Sequence, residues 1–274
     1  MEPRLFVAFI VTNKCRCTLG RLYITYITFY RYNYTNMKNN KNHILMISIN
    51  GLVFVFSMIG VLATSIGTPL FMASTTILYY TIQSNLWIGF TCLAMAILGF
   101  IQIRNKSLRI PSWLYVVKYV FTVAITLTMI VFWLLIAPTL HMPSYLLSLS
   151  NLFSHTLTPI LALVSFFVFD SRDNFLSKKS SVFSLATPIY YFVFFLLVSS
   201  TGVMFGLYRS PYFFLDFYEF GWFGFNVYSE AYGFASFGIF YWIILILLLI
   251  FLLGFGLMSL NRLFFKKTIQ IERL

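Results

Sequence analysis

The chain has 274 residues, of which 60% are hydrophobic, 20% are aromatic and only 9% carry a charge. About 25% of the residues of a soluble domain are charged, so this chain has too few polar side chains to cover a water-soluble globule. The composition excludes an ordinary soluble domain and predicts a polytopic membrane protein. A net charge of +12 would suggest a nucleic-acid partner in a soluble chain. Here the basic residues lie in short gaps between apolar runs, so we expect no such partner.

The basic N-terminal tail, residues 1–43, begins with a part that differs from the rest of the chain. It holds an apolar patch, LFVAFIV, and no small-residue cleavage site follows this patch, so a signal peptide is not expected. Met37 begins MKNNKNHILMISIN, a polar, basic leader that runs into the first long apolar stretch. We therefore expect translation to start at Met37, with residues 1–36 outside the native protein. An amphipathic segment on the membrane surface is the alternative.

Six apolar stretches are each long enough to cross about 30 Å of hydrocarbon as a helix. Transmembrane β-strands would instead give alternating segments of about 10 residues. The sequence therefore predicts an all-α bundle of six transmembrane helices within residues 44–260. Their approximate bounds are 44–67, 78–102, 114–137, 145–169, 182–207 and 237–260. A basic tail, residues 261–274, follows the last of them.

The orientation follows from the basic residues, because Lys and Arg in short loops stay on the cytoplasmic side of a membrane. The loops on the opposite side hold almost none. Both termini are therefore predicted to be cytoplasmic. The basic residues on the predicted cytoplasmic side are Lys38, Lys41, Arg104, Lys106, Arg109, Arg172, Lys178, Lys179, Arg262, Lys266, Lys267 and Arg273.

The outer loop, residues 208–236, is too aromatic for a solvated loop and too broken by Gly and Pro for a seventh span. We expect it to fold back onto the mouth of the bundle as a lid. An aromatic belt at the membrane interface is the alternative. Just before it, Gly202 and Gly206 form a GxxxG pattern, which predicts close helix packing.

Polar side chains at membrane depth are costly, and they invite a functional interpretation. In the fourth predicted span, Asn151, His155 and Pro159 recur at intervals of four and share one helix face. Pro159 has no N–H and can kink the helix, which frees a carbonyl near His155. The alternative is that His155 only hydrogen-bonds a neighbouring helix.

The second and third predicted spans add further polar groups. Thr81, Ser84 and Asn85 lie on one face of the second span. A threonine in a membrane helix more commonly bonds its own i−4 carbonyl, and this is the alternative for Thr81. Lys118 lies near the inner end of the third span, where we expect its side chain to snorkel to the headgroups.

Motifs for nucleotides, zinc and serine hydrolases do not occur in the sequence. Cys15, Cys17 and Cys92 form neither a disulfide framework nor a metal set of recognised spacing. We therefore expect no metal and no cofactor.

Several motifs in fixed order resemble one known family. They are YYTIQSN in the second span, WLYVVKYVFTVAIT in the third, SNLFSHTLTP in the fourth, Asp170 at its end, and PYFFLD followed by GW in the outer loop. Over roughly residues 44–260 the chain resembles the androgen-induced-gene and androgen-dependent TFPI-regulating proteins, and in particular their uncharacterised bacterial branch. The resemblance implies a multipass protein of a bacterial plasma membrane.

The resemblance also implies a hydrolase of fatty acid esters that uses a membrane-embedded threonine and histidine. By motif, Thr81 is the nucleophile and His155 is the general base, which a weakly nucleophilic hydroxyl requires. Asn151, Asn85 and Ser84 are expected to orient these groups or to stabilise an oxyanion. Asp216, Tyr212 and Trp222 in the outer loop are the candidate substrate-binding residues, and the expected partner is a membrane lipid or lipid-like ester.

The sequence leaves the contact between Thr81 and His155, and the choice between two functions, undecided. We measure depth along each helix from the charged residue at the cytoplasmic end of its span. If both helices were straight, Thr81 and His155 would then differ in depth by about 12 Å. The alternative function is a small transporter or a lipid-binding protein without catalysis, in which Asn151, His155 and Lys118 line a path.

Overall fold

A computed structural model describes the backbone of most of the chain. It covers residues 16–66, 75–139, 146–170, 178–205 and 208–272, and the side chains of residues 41–66, 75–138, 146–170, 179–205 and 208–262. The apolar patch near the N-terminus lies outside the described residues, so the expected start at Met37 stays a prediction. The chain divides into two compact units, residues 1–45 and 46–274, and the candidate site lies in the second.

Six helical stretches of the described chain are long and apolar enough to cross a membrane, which confirms the predicted all-α bundle. Most of their ends lie within four residues of the predicted ones. The exception is the fifth span, which ends eight residues early. The spans, numbered one to six, are Lys41–Ile66, Tyr80–Arg104, Ser112–Ile136, Leu149–Phe169, Lys179–Ser199 and Ile239–Arg262.

The spans are built mainly from α-helices, with irregular turns at particular positions. The α-helices are α1 Arg16–Ile66, α2 Tyr80–Arg104, α3 Ser112–Val131, α4 Leu149–Leu152, α5 Thr158–Phe169, α6 Ala186–Ser199, α7 Phe217–Phe220 and α8 Ile239–Glu272. Wider π-helical turns form Phe132–Ile136 and Phe153–Leu157, and 3₁₀ turns form Ala137–Thr139, Lys178–Leu185 and Phe213–Leu215. Because α8 reaches Glu272, most of the expected C-terminal tail is helical.

The distribution of apolar side chains fits a bundle surrounded by lipid. Large apolar side chains project outward from the spans, among them Leu52, Ile97, Val164, Leu197 and Leu248. Lipid offers such side chains an apolar environment, so they carry no penalty there. Aromatic and branched side chains fill the centre, and the largest fully buried ones include Tyr119, Phe166, Phe195 and Ile250.

The fifth span ends at Ser199 because the chain turns at Gly202, whose φ is +75°. This left-handed conformation is easy for glycine and costly for other residues. A Cβ atom on Gly202 would meet no atom within 4 Å. The GxxxG interpretation of Gly202 is therefore wrong, because this glycine lies in a turn beyond the helix; Gly206 lies outside the described residues.

The outer loop contains α7 and a hairpin of β1 Val227–Ser229 and β2 Phe234–Ser236. Carbonyl groups of the loop also accept hydrogen bonds from the N–H groups at the start of α8. The first N–H groups of a helix have no partner within the helix, and here Gly238 donates to the Gly224 carbonyl (2.7 Å) and Ile239 to the Gly221 carbonyl (3.2 Å). A Cβ atom on Gly224 would collide with the Phe220 carbonyl, so only glycine fits this close approach. The loop is thus attached to the sixth span.

Lys118 does not snorkel, and that prediction is wrong. Its ammonium is fully buried and lies 3.0 Å from a carboxylate oxygen of Asp170. It also donates to Ser165 (2.8 Å), whose hydroxyl donates to Asn50 (3.1 Å). Asp170 offers the lysine a partner inside the bundle, and the resulting polar chain joins the first, third and fourth spans.

We predict that Lys118→Met lowers the free energy of unfolding by about 3–5 kcal/mol, because a buried carboxylate without its cation carries its full desolvation cost. The double variant Lys118→Met with Asp170→Leu should recover most of this loss. Thermal unfolding in detergent provides the measurement. Lys106→Met, at an exposed lysine in the turn after α2, is the control. Equal losses at Lys118 and Lys106 would contradict the buried ion pair as a stabilising element.

Candidate functional site

A cavity of about 120 Å³ lies at the end of the bundle that the outer loop covers. Five spans and the loop contribute to its wall. Its polar lining consists of hydroxyl groups and one imidazole, and the rest is apolar. The lining residues are Tyr80, Thr81, Leu127, Thr128, Val131, Ile136, His155, Pro188, Ile189, Tyr191, Phe192, Tyr212, Phe214, Leu215, Ile243, Ile246 and Leu247.

Thr81 lies in the first turn of α2 and is half-buried at the cavity wall. Its N–H donates to the Tyr212 hydroxyl (3.4 Å), and its Oγ1 lies 3.4 Å from the same oxygen. Thr81 therefore does not follow the expected alternative of bonding its own i−4 carbonyl. Its hydroxyl faces the outer loop and the cavity.

His155 reaches the same cavity from the π-helical turn Phe153–Leu157. Its ring stacks on Phe132, with centroids 3.9 Å apart and an interplanar angle of 10°. Phe132 begins the other π-helical turn, at the end of the third span. Nδ1 of His155 is buried without a hydrogen-bond partner, so one ring nitrogen is uncommitted. π-Helical turns inside α-helices are frequently found at functional sites.

Pro159 explains how the second and fourth spans are joined at this point. The Thr158 N–H donates to the Phe153 carbonyl, and Pro159 has no N–H, so the Ser154 carbonyl lacks a donor from its own helix. Nδ2 of Asn85 supplies that donor at 3.2 Å. The same nitrogen donates to the Thr81 carbonyl at 2.8 Å. Asn85 thus connects the turn that carries Thr81 to the turn that carries His155.

Ser84 supports the same turn from its other side. Its hydroxyl donates to the Thr81 carbonyl (3.0 Å) and lies 3.0 Å from the Thr128 hydroxyl. The hydroxyl of Thr128 also donates to the Ala124 carbonyl (3.1 Å). The hydrogen bonds of Ser84 and Asn85 thus tie Thr81 to the third and fourth spans.

The structure brings Thr81 and His155 to one cavity, although straight helices predicted a large separation in depth. The fourth span is not a straight α-helix, because a π-helical turn lies where His155 is. Within the described residues, no hydrogen bond joins the two side chains directly. Asn151 is buried in α4, one turn earlier, and does not line the cavity.

Of the three loop residues expected to bind substrate, only Tyr212 lines the cavity. Asp216 instead caps α7: its Oδ1 accepts the N–H groups of Tyr218 (3.1 Å) and Glu219 (3.3 Å), and its Oδ2 accepts the Tyr232 hydroxyl (3.1 Å). A buried carboxylate with these donors serves to hold the loop together.

Trp222 also lies away from the cavity. Its side chain is 44% exposed, and its ring stacks on Phe217 with centroids 5.4 Å apart. The aromatic composition of the loop therefore did not identify which of its rings face the site.

Tyr212 is held at the cavity by its neighbours. Its ring stacks on Phe214 (centroids 5.0 Å apart, 5° between planes) and meets the edge of Tyr79. Burial raises the pKa of Tyr212 to about 12. Its hydroxyl is therefore protonated at neutral pH, and it can donate a hydrogen bond while it accepts one from the Thr81 N–H.

Thr128 and Phe132 belong to the site and are absent from the sequence-based candidates. Thr128 lines the cavity, and Phe132 provides the ring on which His155 stacks. Both lie on the third span, at positions that read as ordinary span residues in the sequence. The threonine spacing of this span did not indicate Thr128, which does not share the face of Thr122 and Thr126, and the π-helical turn at Phe132 has no sequence pattern of its own.

No family model, curated protein or solved structure matches the chain. Among the described residues, no group of three His, Cys, Asp or Glu side chains could hold a metal ion.

We predict a pH dependence of the outer loop from Asp216. Burial raises the pKa of Asp216, so the folded loop holds this proton more tightly than the unfolded chain does. The contribution of protonated Asp216 to stability is then greatest below the ordinary aspartate pKa of about 3.9. This contribution is lost as the pH rises through the raised pKa of the folded protein.

Asp216→Asn keeps the accepting Oδ1 and cannot ionise, so the variant should lose this part of the pH dependence. Unfolding monitored by tryptophan fluorescence across the acidic range, compared between the two proteins, measures the difference. Parallel curves for wild type and Asp216→Asn would contradict the prediction.

Proposed function

We propose that this membrane protein hydrolyses lipid-like esters, with Thr81 as nucleophile and His155 as general base. The observation that carries the proposal is that the two side chains, which the sequence separates by two spans, line one cavity. The motifs YYTIQSN and SNLFSHTLTP support the same roles through the resemblance to the androgen-induced-gene and androgen-dependent TFPI-regulating family. On this proposal the partner is an ester in the surrounding bilayer, and the membrane is a bacterial plasma membrane.

The reaction follows from ordinary nucleophilic catalysis. Thr81 Oγ1 forms a bond to the ester carbonyl carbon while its proton passes to His155. The bond to the alcohol oxygen then breaks, and His155 returns the proton to that oxygen. Water attacks the acyl-threonine, gives a proton to His155, and releases the carboxylic acid as Thr81 regains its proton.

One ring nitrogen of His155, Nδ1, has no hydrogen-bond partner, and in a neutral imidazole the nitrogen without a proton can act as a base. Thr81 and His155 need not be hydrogen-bonded before substrate binds, because catalytic hydrogen bonds commonly tighten only in the complex. Substrate that displaces Tyr212 from Thr81 Oγ1 would free the hydroxyl for this contact.

Tyr212 is the best candidate for stabilising the oxyanion. Its protonated hydroxyl lies 3.4 Å from Thr81 Oγ1, so it is close to the carbon that Thr81 would attack. Asn85 is less suited to this role, because Nδ2 is engaged by two backbone carbonyls. Asn151 does not line the cavity.

Transport is the weaker alternative. A transporter would need a polar path through the bundle, and the sequence predicted one lined by Asn151, His155 and Lys118. Asn151 lies off the cavity, and Lys118 is paired with Asp170. These two observations favour a reaction site at one end of the bundle over a path through it.

We predict that purified protein reacts with a fluorophosphonate hydrolase probe, that Thr81→Ala abolishes the labelling and that His155→Ala weakens it. The physical reason is that only a hydroxyl with an adjacent base is nucleophilic at neutral pH. Thr91→Ala, at a buried threonine of the same helix that does not line the cavity, is the matched control. Labelling that persists in Thr81→Ala, or the absence of labelling on folded wild type, would contradict the hydrolase proposal.

A second prediction separates Tyr212 from the residues that only support the fold. Tyr212→Phe keeps the ring stacking and removes one donor, so kcat for an ester substrate should fall about 100-fold with little change in KM. Tyr208→Phe, at a loop tyrosine that does not line the cavity, should leave both constants unchanged. A change confined to KM would assign Tyr212 to substrate binding and not to the transition state.

A further inference from the structure

The cavity is bounded on one side by the fifth and sixth spans. Pro188, Ile189 and Phe192 come from the fifth span, and Ile243, Ile246 and Leu247 come from the sixth. These six side chains are apolar, whereas Thr81, Thr128, His155 and Tyr212 lie on the other spans and the outer loop. The cavity therefore has a reactive polar side and an aliphatic side.

The aliphatic side reaches the lipid-facing surface of the bundle. Ile189 lines the cavity and is nevertheless 49% exposed. Its neighbour Tyr190 on the fifth span and Ile244 on the sixth are also exposed. The sixth span packs mainly on Lys178–Leu185 and on α3, and only sparsely on α6. The cavity wall formed by α6 and α8 thus borders the lipid-facing surface, and we call the boundary between these two helices the slot.

The size of the cavity requires such a slot for any long substrate. An engineered cavity of about 150 Å³ holds one benzene ring, so about 120 Å³ encloses roughly five carbon atoms. The reacting group and a few methylenes fill it. The remainder of a long chain must lie in the slot and in the lipid beyond it.

The charge of the lining restricts what can enter. The lining residues carry no acidic or basic side chain apart from His155, and the buried charges of Lys118 and Asp170 satisfy each other. A phosphate, an ammonium or a carboxylate in this cavity would be desolvated without a partner, which is strongly unfavourable. An ester group is polar, neutral and able to accept hydrogen bonds from Tyr212.

We infer that the cavity binds an uncharged ester on a single aliphatic chain that enters sideways from the lipid through the slot between α6 and α8. The identity of the reacting bond rests on the proposed function, whereas the route of the chain and the exclusion of charge rest on the cavity itself. The carboxylate produced by hydrolysis is the species that the lining binds least well, so product leaves the site as it ionises.

Binding to the Thr81→Ala variant in lipid nanodiscs tests the inference without turnover. The probe is a long-chain fatty acid methyl ester with a diazirine in its chain, compared with the free acid of the same chain at neutral pH. We expect crosslinks on residues 188–192 and 243–247, and labelling by the acid at least about tenfold weaker because its charge would be buried unpaired. Equal labelling by ester and acid, or crosslinks confined to other faces, would overturn the inference.

Variants of the slot provide the second arm. Ile189→Trp and Ile246→Trp should each reduce ester labelling at least about tenfold by filling the slot. Leu252→Trp, at an exposed position of α8 that does not line the cavity, should not. Ile189→Ala widens the slot and should retain labelling, which separates obstruction from misfolding. Unchanged labelling in both tryptophan variants would overturn the lateral route.

The two proposals fail differently. If Thr81→Ala is labelled as expected and wild type does not hydrolyse the ester, the proposed function fails and the ligand assignment stands. If wild type hydrolyses the long-chain ester and both tryptophan variants of the slot hydrolyse it equally fast, the function stands and the slot is wrong.

Discussion

Inside a bilayer no water is available to bond a free carbonyl, so each backbone oxygen that loses its helical partner must find another donor. Pro159 creates this situation at Ser154, and Asn85 resolves it with a nitrogen that also bonds the Thr81 carbonyl. The arrangement of the candidate site depends on this one amide. It links the first turn of the second span to the π-helical turn of the fourth, and these two turns carry Thr81 and His155.

The molecule separates its buried ion pair from the candidate site. Lys118 and Asp170 pair toward the other end of the third and fourth spans, where Asn50 and Ser165 extend the polar chain. The cavity under the outer loop has hydroxyls, one imidazole and no ion pair. A charge near the cavity would bind the carboxylate product or hold a charged headgroup. An uncharged cavity beside a lipid-facing slot is suited to a neutral chain, and a buried ion pair elsewhere can join the spans without affecting it.

The sequence predicted part of the site and misassigned another part, and the reasons are physical. Thr81 and His155 were selected by their motifs, and both line one cavity. Asp216 was expected to face substrate, but a carboxylate near the start of a short helix satisfies the unpaired N–H groups there. Lys118 was expected to reach the headgroups, since a lysine alone gives no sign that a carboxylate from another span lies beside it.

Composition and the length of the apolar runs by themselves determined the membrane class, the six spans and most of their ends, because lipid imposes the same length and polarity on every span. The tertiary structure alone decided which loop rings face the cavity, which spans pack against each other and which polar groups are paired. These properties arise from contacts between residues far apart in the chain. Local spacing in a helix reports only which face a residue shares, and not what lies opposite that face.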